Sequence, residues 1–340
     1  VTDGLGLEAG YLIGGIPLNY GLSFRAPKGD YFVIEGDEYD TAFFDKVPKF
    51  IHYKPKHVIL TSVEFDHADI YRDLEHVKQA FRQLLELIPV DGTLIYNAED
   101  ANIRSILPSC KAKRQVGYGI DNGEYRIVDR GVVEGRNQFT VLKGKERTAD
   151  LALKIFGEHN SLNALSVFAL ADALGWPRAK VLQSFADFKG VKRRQEILGT
   201  VKGITVVEDF AHHPTAVDLT LRCMRERFPD SRIVGVFEPR SATSRRKVFQ
   251  EDYARAFKNA DMIYIAQPYD QSRISEGDRF STEQLILDLR RAGKIAESGP
   301  DAQSLLKMMA PALRPKDVIL IMSNGGFDGI YQKLLTQLNA

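Results

Sequence analysis

The chain has two cysteines in 340 residues, Cys110 and Cys223, too few for a disulfide framework or a thiolate zinc site. It has no surplus charge of one sign either. Lys and Arg number 46 and Asp and Glu 45, for a formal charge of +1. That balance gives no general drive toward nucleic acid or a membrane surface. No apolar run approaches the ~18 residues of a bilayer span. No basic stretch followed by an apolar core marks a secretory leader, so the cytoplasm is the expected setting. Two glycine-rich signatures are also missing. A Gly-x-x-x-x-Gly-Lys-Ser/Thr loop occurs nowhere in the sequence, so no loop of that type cradles phosphates here. No Gly-x-Gly-x-x-Gly follows the apolar run at Ile204, which argues against a dinucleotide. There is no internal repeat and no low-complexity linker. What is left is an ordinary globular composition, 44% hydrophobic and 27% charged, long enough for two domains.

Against that background one run stands out, Glu35-Gly36-Asp37-Glu38-Tyr39-Asp40. It follows Tyr31-Phe32-Val33-Ile34, which reads as a buried strand. Four carboxylates in six residues repel one another. They are tolerable only where cations, hydrogen-bond donors or a helix terminus share the charge. A magnesium–nucleotide site supplies such partners; a solvated acidic turn is the plain alternative. Val58-Ile59-Leu60 reads as a second buried strand, and it leads into Thr61-Ser62-Val63-Glu64-Phe65-Asp66-His67-Ala68-Asp69. Open α/β sheets place ligands at strand ends of this kind.

The alternation of apolar runs and helical periodicity predicts an α/β fold. Strands are expected near 31–35, 58–62 and 93–96, with a helix over 71–87 that carries Leu74, Val77, Phe81, Leu84 and Leu85 at helical spacing. Residues 114–155, with short alternating runs, read as an antiparallel ribbon or small sheet beside the main one. Residues 160–174 read as an amphipathic helix. Further on, 204–207, 233–237, 262–265 and 318–322 read as buried strands. Helices are expected at 214–227, 246–259, 281–292, 302–310 and 327–338. Such repetition predicts a Rossmann-like parallel sheet. The domain boundary is expected at the basic stretch 189–194, giving domains 1–193 and 194–340.

The two acidic strand ends together resemble the central domain of the Mur ligase family, ATP-dependent amide-forming enzymes of bacterial cell-wall synthesis. Further stretches resemble the family in the expected order. Gly157-Glu158-His159-Asn160 with Asn163 is similar to its adenine-contacting Gly-x-His-Asn-x-x-Asn motif. Lys192-Arg193-Arg194-Gln195-Glu196 resembles the basic hinge before the last domain. Glu208-Asp209-Phe210-Ala211-His212-His213-Pro214-Thr215 resembles that domain's opening loop. The run from Asp37 to Lys46, Glu238-Pro239-Arg240-Ser241 and Met322-Ser323-Asn324-Gly325-Gly326-Phe327 are similar to one branch of the family. That branch recycles wall peptide by joining UDP-N-acetylmuramate to the tripeptide L-Ala-γ-D-Glu-meso-diaminopimelate. The L-alanine-adding branch typically has a Ser in the Glu38-Tyr39-Asp40 context, and a His-Arg pair where this chain has Pro239-Arg240.

The resemblance implies a partial central ATPase domain, a mostly parallel sheet with a small antiparallel one, followed by a Rossmann-like ligase domain. It implies ATP and Mg2+, and a bacterial cytoplasmic setting. Glu35 would be a magnesium ligand, and His67 the ligand of a second magnesium. Asp37, Glu38 and Asp40 would position waters, orient the metal or contact the incoming amine. Asn160 and Asn163 share a helix face, and their amides offer the donor and acceptor that an adenine edge requires; a plain helix cap is the alternative for Asn160. His159 would stack or hydrogen-bond beside them. Arg194 would reach the nucleotide, with Arg193 the candidate if the register is one residue off. Asp209 would accept a ribose hydroxyl. His212 or His213 would lie near the phosphates, unless the pair is only the turn that starts a helix at Pro214. Arg240 and Ser241 would meet a substrate carboxylate. Ser323, Asn324 and Gly325 would offer an anion site between a strand and a helix, or simply a tight turn. Gly14-Gly15-Ile16-Pro17 reads as a muramate-nucleotide contact or a plain loop.

Family members also carry a UDP-binding domain and a Gly-x-x-Gly-Lys-Thr-Thr loop ahead of the stretch that Val1-Thr2-Asp3-Gly4-Leu5-Gly6-Leu7 resembles. The chain is therefore expected to be a fragment, inactive alone, with one side of its central sheet uncovered and open to a partner segment or to self-association. Other activities stay open. One is the L-alanine-adding ligase. Another, of a different class, is a metal-dependent hydrolase using Asp66-His67-Asp69 with His212-His213. A non-catalytic binding role is a third.

Overall fold

The apolar runs form two six-stranded sheets, one in each of two compact units. The computed structural model describes residues 1–339. The first unit is Val1–Gly190 and the second begins at Val191.

In the first unit, β1 (Gly10–Leu12), β2 (Phe24–Arg25) and β3 (Phe32–Ile34) make a small sheet of order β2-β1-β3. A hairpin of β4 (Asp40–Ala42) and β5 (Asp45–Pro48) follows. Then β6 (His57–Leu60), α1 (Leu74–Leu87), β7 (Thr93–Asn97), α2 (Ala101–Ile106) and β8 (Arg114–Gly119) wind up a parallel β6-β7-β8 group. The chain continues as an antiparallel meander, β9 (Tyr125–Val133), β10 (Arg136–Lys143) and β11 (Glu146–Leu153). β9 pairs with β8, so one sheet runs β11-β10-β9-β8-β7-β6. α3 (Glu158–Ala173) and α4 (Arg178–Asp187) complete the unit.

Several sequence expectations need correcting here. The stretch 114–155 is continuous with the main sheet rather than beside it, because β8 bonds to β7 on one side and to β9 on the other. The run 31–34 is not a buried strand. Phe32 and Val33 are each 48% exposed, since β3 pairs only with β1 and lies outside the large sheet. α1 begins at Leu74 because the Asp73 carboxylate accepts the His76 amide and caps the helix there. α3 is not amphipathic. Ser161, Ala164, Leu165, Ser166, Phe168, Ala169, Ala171 and Ala173 are buried all around it, because it packs on β7, β8 and β9.

The second unit runs β12 (Glu196–Val201), β13 (Ile204–Asp209), α5 (Pro214–Arg227), β14 (Ile233–Phe237), α6 (Gln250–Ala256), β15 (Met262–Ala266), α7 (Thr282–Arg291), β16 (Ile295–Gly299), α8 (Ala302–Met309), β17 (Val318–Met322) and α9 (Ile330–Asn339). Its sheet order is β12-β13-β17-β14-β15-β16, parallel throughout except for β12. β14, β15 and β17 are buried along their whole length, which is why they read as unbroken apolar runs. β12 and β16 escaped the sequence reading because they are edge strands interrupted by Glu196, Thr200, Glu297 and Ser298. The helix expected over 246–259 is the short α6 between two 3-10 turns. Parallel strands deliver their loops to one edge, so Phe210, Glu238, Gln267 and Ser323 all follow carboxyl ends of this sheet.

Candidate functional site

The acidic run after β3 meets the partners its charge demands, and they come from this chain. Asp37 accepts from Lys49 Nζ at 3.1 Å and from the Tyr39 amide at 2.8 Å. Glu38 Oε1 lies 2.8 Å from His67 Nε2, and Asp40 lies 2.9 Å from Lys46 Nζ. Glu35 is exposed, and its Oε2 accepts the Gly14 amide at 2.6 Å. The structure thus brings Glu38 and His67 together, and ties Glu35 to the Gly14-Gly15 loop. Among the described residues no group of three or more His, Cys, Asp or Glu side chains is close enough to hold a metal.

His67 occupies left-handed backbone, φ 53°, and its ring sits 3.9 Å from the Tyr39 ring. Burial works against its protonation. The bond to Glu38 and the charges of Asp66, Glu38 and Asp37 outweigh that, and the imidazole is held above its ordinary range. The loop leading to it is pinned by side chains that the sequence reading passed over. Val63 donates its amide to Asp100 Oδ2 at 3.0 Å, and its carbonyl accepts from Asn102 at 2.7 Å. Asn97 adds a bond to the Thr61 carbonyl at 3.2 Å. The signal was present in Asn97-Ala98-Glu99-Asp100-Ala101-Asn102, four groups able to bond backbone at the end of a strand.

A cavity of about 860 Å³ follows the edge of β6. Phe32, Val33 and Ile34 of β3 line it, with Phe81, Leu170 and Trp176. β6 ends its sheet, so its outer edge has no strand partner among the described residues.

At the start of α3 the N-cap is Gly157, with no side-chain cap. Asn160 therefore does not cap the helix; its Nδ2 donates back to the Phe156 carbonyl at 2.7 Å. Asn163 is exposed one turn on, on the same face, and His159 is half-buried beside them.

In the second unit the hinge arginines separate clearly. Arg193, at φ 61°, donates from Nε to Glu208 at 2.6 Å and from Nη2 to the carbonyls of Ser323 and Gly325, at 3.0 and 2.6 Å. It is spent on the fold. Arg194 stands over the Phe210 ring at 5.1 Å, with no comparable set of anchors among the described residues. Asp209 is buried. Its oxygens accept the amides of Ala211 at 2.7 Å and Gln195 at 2.8 Å. Burial pushes its carboxyl up despite those bonds. Asp209 thus shapes the Arg194 turn, with both of its oxygens already accepting backbone amides. Ser323 is engaged likewise. It is fully buried, donating to Glu238 Oε2 at 2.5 Å and accepting the Gly325 amide at 2.9 Å. Ser241 is engaged in a turn with Ser244. His213 is the N-cap of α5 with Pro214 in its first turn, so that residue is a helix start. His212 is held by its ring to the Phe210 carbonyl at 3.0 Å, while its own carbonyl accepts the Tyr253 hydroxyl. Arg240 reaches Glu238 at 3.4 Å and stands 3.9 Å from the Tyr269 ring centroid. The Asn324 Oδ1 is buried and meets no donor among the described residues.

A family model, Mur ligase middle domain, matches residues 17–171, and another, Mur ligase, glutamate ligase domain, matches 193–325. The chain is 36% identical to the UDP-N-acetylmuramate–L-alanyl-γ-D-glutamyl-meso-2,6-diaminoheptandioate ligase of Haemophilus influenzae, over 99% of this chain and 72% of that protein. It is 32% identical to the UDP-N-acetylmuramate–L-alanine ligase of Desulforapulum autotrophicum, over 98% and 72%. Among solved structures it is similar to a murein peptide ligase from Psychrobacter arcticus, at 31% identity and TM-score 0.71, over 99% of this chain and 73% of that one. A UDP-N-acetylmuramate–alanine ligase from Thermotoga maritima, at 24% identity and TM-score 0.78, shares the fold over 99% of this chain and 70% of that one.

Proposed function

The chain belongs to the Mur ligase family, and on that premise we propose that it serves to join UDP-N-acetylmuramate to the tripeptide L-Ala-γ-D-Glu-meso-diaminopimelate. Members of the family are ATP-dependent ligases that form C–N bonds. The observation that carries the finer reading is the 36% identity to a tripeptide ligase across 99% of this chain. Residues 1–193 would be the central ATP-binding domain and 194–340 the ligase domain, and the division into two compact units supports that.

Forming an amide from a carboxylate in water is uphill, so the carboxylate is first activated. A muramate carboxylate oxygen attacks the γ-phosphorus of ATP, and ADP leaves. The tripeptide amine then attacks the acyl phosphate carbon. The C–O bond to phosphate breaks, phosphate departs with the electron pair, and the amine loses a proton. Most of the catalytic task is alignment of negative charge. Asn160, Asn163 and His159 would hold the adenine. Arg194 would meet the nucleotide, and His212, fixed by Phe210 and Tyr253, would bear on its phosphates. Arg240 would take a substrate carboxylate, while Glu38 and Asp40 would face the amine donor.

Magnesium needs only one or two protein carboxylates and keeps several waters. The exposed Glu35 fits that demand. His67 would join it only on releasing Glu38, since its Nε2 is engaged and imidazole is an uncommon magnesium ligand. The ion would supply charge that neutralises phosphate oxygens.

These 340 residues contain no phosphate-cradling loop, and a cavity of about 860 Å³ lies along the unpaired edge of β6. We therefore expect no turnover from them alone, and self-association along that edge at high concentration. The test is to fuse the chain to the part of the Haemophilus relative that it does not cover. ADP release is then followed with ATP, Mg2+ and UDP-N-acetylmuramate. Release that requires the tripeptide supports the reading. Release that requires L-alanine instead moves the chain to the other branch. Phosphoester hydrolysis without ATP would point to the hydrolase.

A further inference from the structure

Arg240 is held on several sides by groups that are themselves fixed. Its Cζ lies 3.9 Å from the centroid of the Tyr269 ring, cation–π distance. Tyr269 is 52% exposed, yet its backbone is anchored at both ends. Its amide donates to the Pro239 carbonyl at 3.1 Å, and its carbonyl accepts from Arg245 at 3.2 Å. On another side lies Gly325. A Cβ built there would overlap Arg240 Cδ and Nε, so the arginine occupies the space that a side chain would fill. Gly325 cannot drift, because its amide is bound to Ser323 Oγ and its carbonyl to Arg193. Glu238 approaches from within the fold. One of its oxygens accepts Ser323 at 2.5 Å and the other meets Arg240 only loosely, at 3.4 Å.

Arg240 makes no further hydrogen bond among the described residues. A guanidinium has five N–H donors, and a carboxylate takes two of them in parallel. The anchors therefore fix where the group stands while leaving most of its donors unspent. Preorganisation of this sort lowers the entropy lost when an anion docks.

We propose that Tyr269 and Gly325 are positioning residues that aim Arg240 at a carboxylate of the amine donor, so that the ligase selects its donor by that charge. The proposal rests on the ligase reading above and names how its donor site would choose. Tyr269 lies in the loop after β15, which contains no motif that the sequence reading recognised. The stacked geometry alone exposes it.

The test is calorimetric titration of the full chain with the tripeptide, with the same tripeptide carrying amidated carboxyl groups, with L-alanine, and with MgATP. Wild type should prefer the free tripeptide over its amide by about tenfold or more. Arg240→Gln should abolish that preference. Gly325→Ala, which displaces the arginine, should weaken the tripeptide about tenfold. Tyr269→Leu should weaken it about two- to fivefold, and Tyr269→Phe should restore it, because the ring rather than the hydroxyl faces Arg240. MgATP affinity should be unchanged in all four. Tyr269 is exposed, so its variants keep the test alive should Gly325→Ala fail to fold. If Tyr269→Leu and a folded Gly325→Ala both keep the wild-type affinity and preference, the proposal is overturned. Binding of L-alanine rather than tripeptide, with the same dependence on Arg240 and Tyr269, would uphold the receptor and reject the tripeptide reading. A wild-type chain that binds none of these ligands rejects both.

Discussion

In the second unit the strands β13, β17, β14 and β15 lie between β12 and β16, and the groups at their carboxyl ends are already bonded to one another. In the first unit the sheet stops at β6 beside a cavity of about 860 Å³, β3 stands in a separate small sheet, and Glu35 is exposed. The difference has a physical cause. A strand that is paired on both sides fixes the direction in which its last residues leave, and buried neighbours then bond those residues in place. A strand with one free edge fixes less. The groups around Arg240 are therefore bonded in place, whereas the acidic run neutralises itself with Lys46, Lys49 and His67.

The largest effect that could break this contrast is in hydrogen exchange. Amides of β13 and β17 should exchange only through global opening of their unit. Those of β3 should exchange faster by on the order of a thousandfold or more. Equal, strong protection over residues 1–60 would mean that the first unit is as closed as the second. A pair of truncations gives the next largest difference. Phe237 is fully buried at the end of β14, and Phe237→Ala should cost about 3–5 kcal/mol in urea unfolding. Phe32 is half exposed, and Phe32→Ala should stay within about 0.5 kcal/mol. A comparable loss at Phe32 would show that β3 is part of a cooperative core.

How far the sequence could be read follows the same division. Runs such as 233–237 and 318–322 are apolar because both of their faces are covered, and residue type alone reveals that. The run 31–34 has the same composition, but its burial depends on a neighbouring strand that no local pattern encodes. The site residues divide in a related way. Glu38, His67 and Arg240 follow apolar runs, and Arg194 lies in a basic stretch that resembles a family hinge, so all four stand out in the sequence. The clamp of Asp100 and Asn102 on Val63 joins residues nearly forty positions apart, a pairing that only the fold creates. Asp209 and Ser323 show the converse. Both lie in motifs, yet each is buried with its polar atoms bonded inside the protein.

The clamp supplies a test of intermediate size. Asp100→Ala removes the cap of α2 and the bond to the Val63 amide together, and should cost the first unit about 1–2 kcal/mol. Exchange should quicken through 61–67, ahead of His67, and leave β13 untouched. No change in that loop would show that it is fixed by packing alone.

The smallest effect is in pH, and there one carboxyl in each unit should contribute with opposite sign. In the first unit, burial works to raise the Asp172 carboxyl. Hydrogen bonds from Tyr125, Arg178 and Lys143 outweigh it and hold the group at about 2, below its ordinary 3.8. A depressed carboxylate adds stability that is present above the unfolded value and is lost as pH falls from about 4 to about 2. In the second unit burial raises Asp209, and the amides of Ala211 and Gln195 together with Arg194 do not cancel the shift. A raised carboxyl adds stability that is complete below 3.8 and is lost as pH rises through the folded value. The sole tryptophan, Trp176, lies in the first unit and reports its unfolding by fluorescence, while exchange in β13 reports the second. Asp172→Asn should flatten the acid limb of the first unit, and Asp209→Asn should flatten the rise-of-pH limb of the second. Should both units lose stability together on acidification, with Asp209→Asn leaving the second unit's profile unchanged, the buried carboxyl beside Arg194 is not the strained group that its surroundings imply.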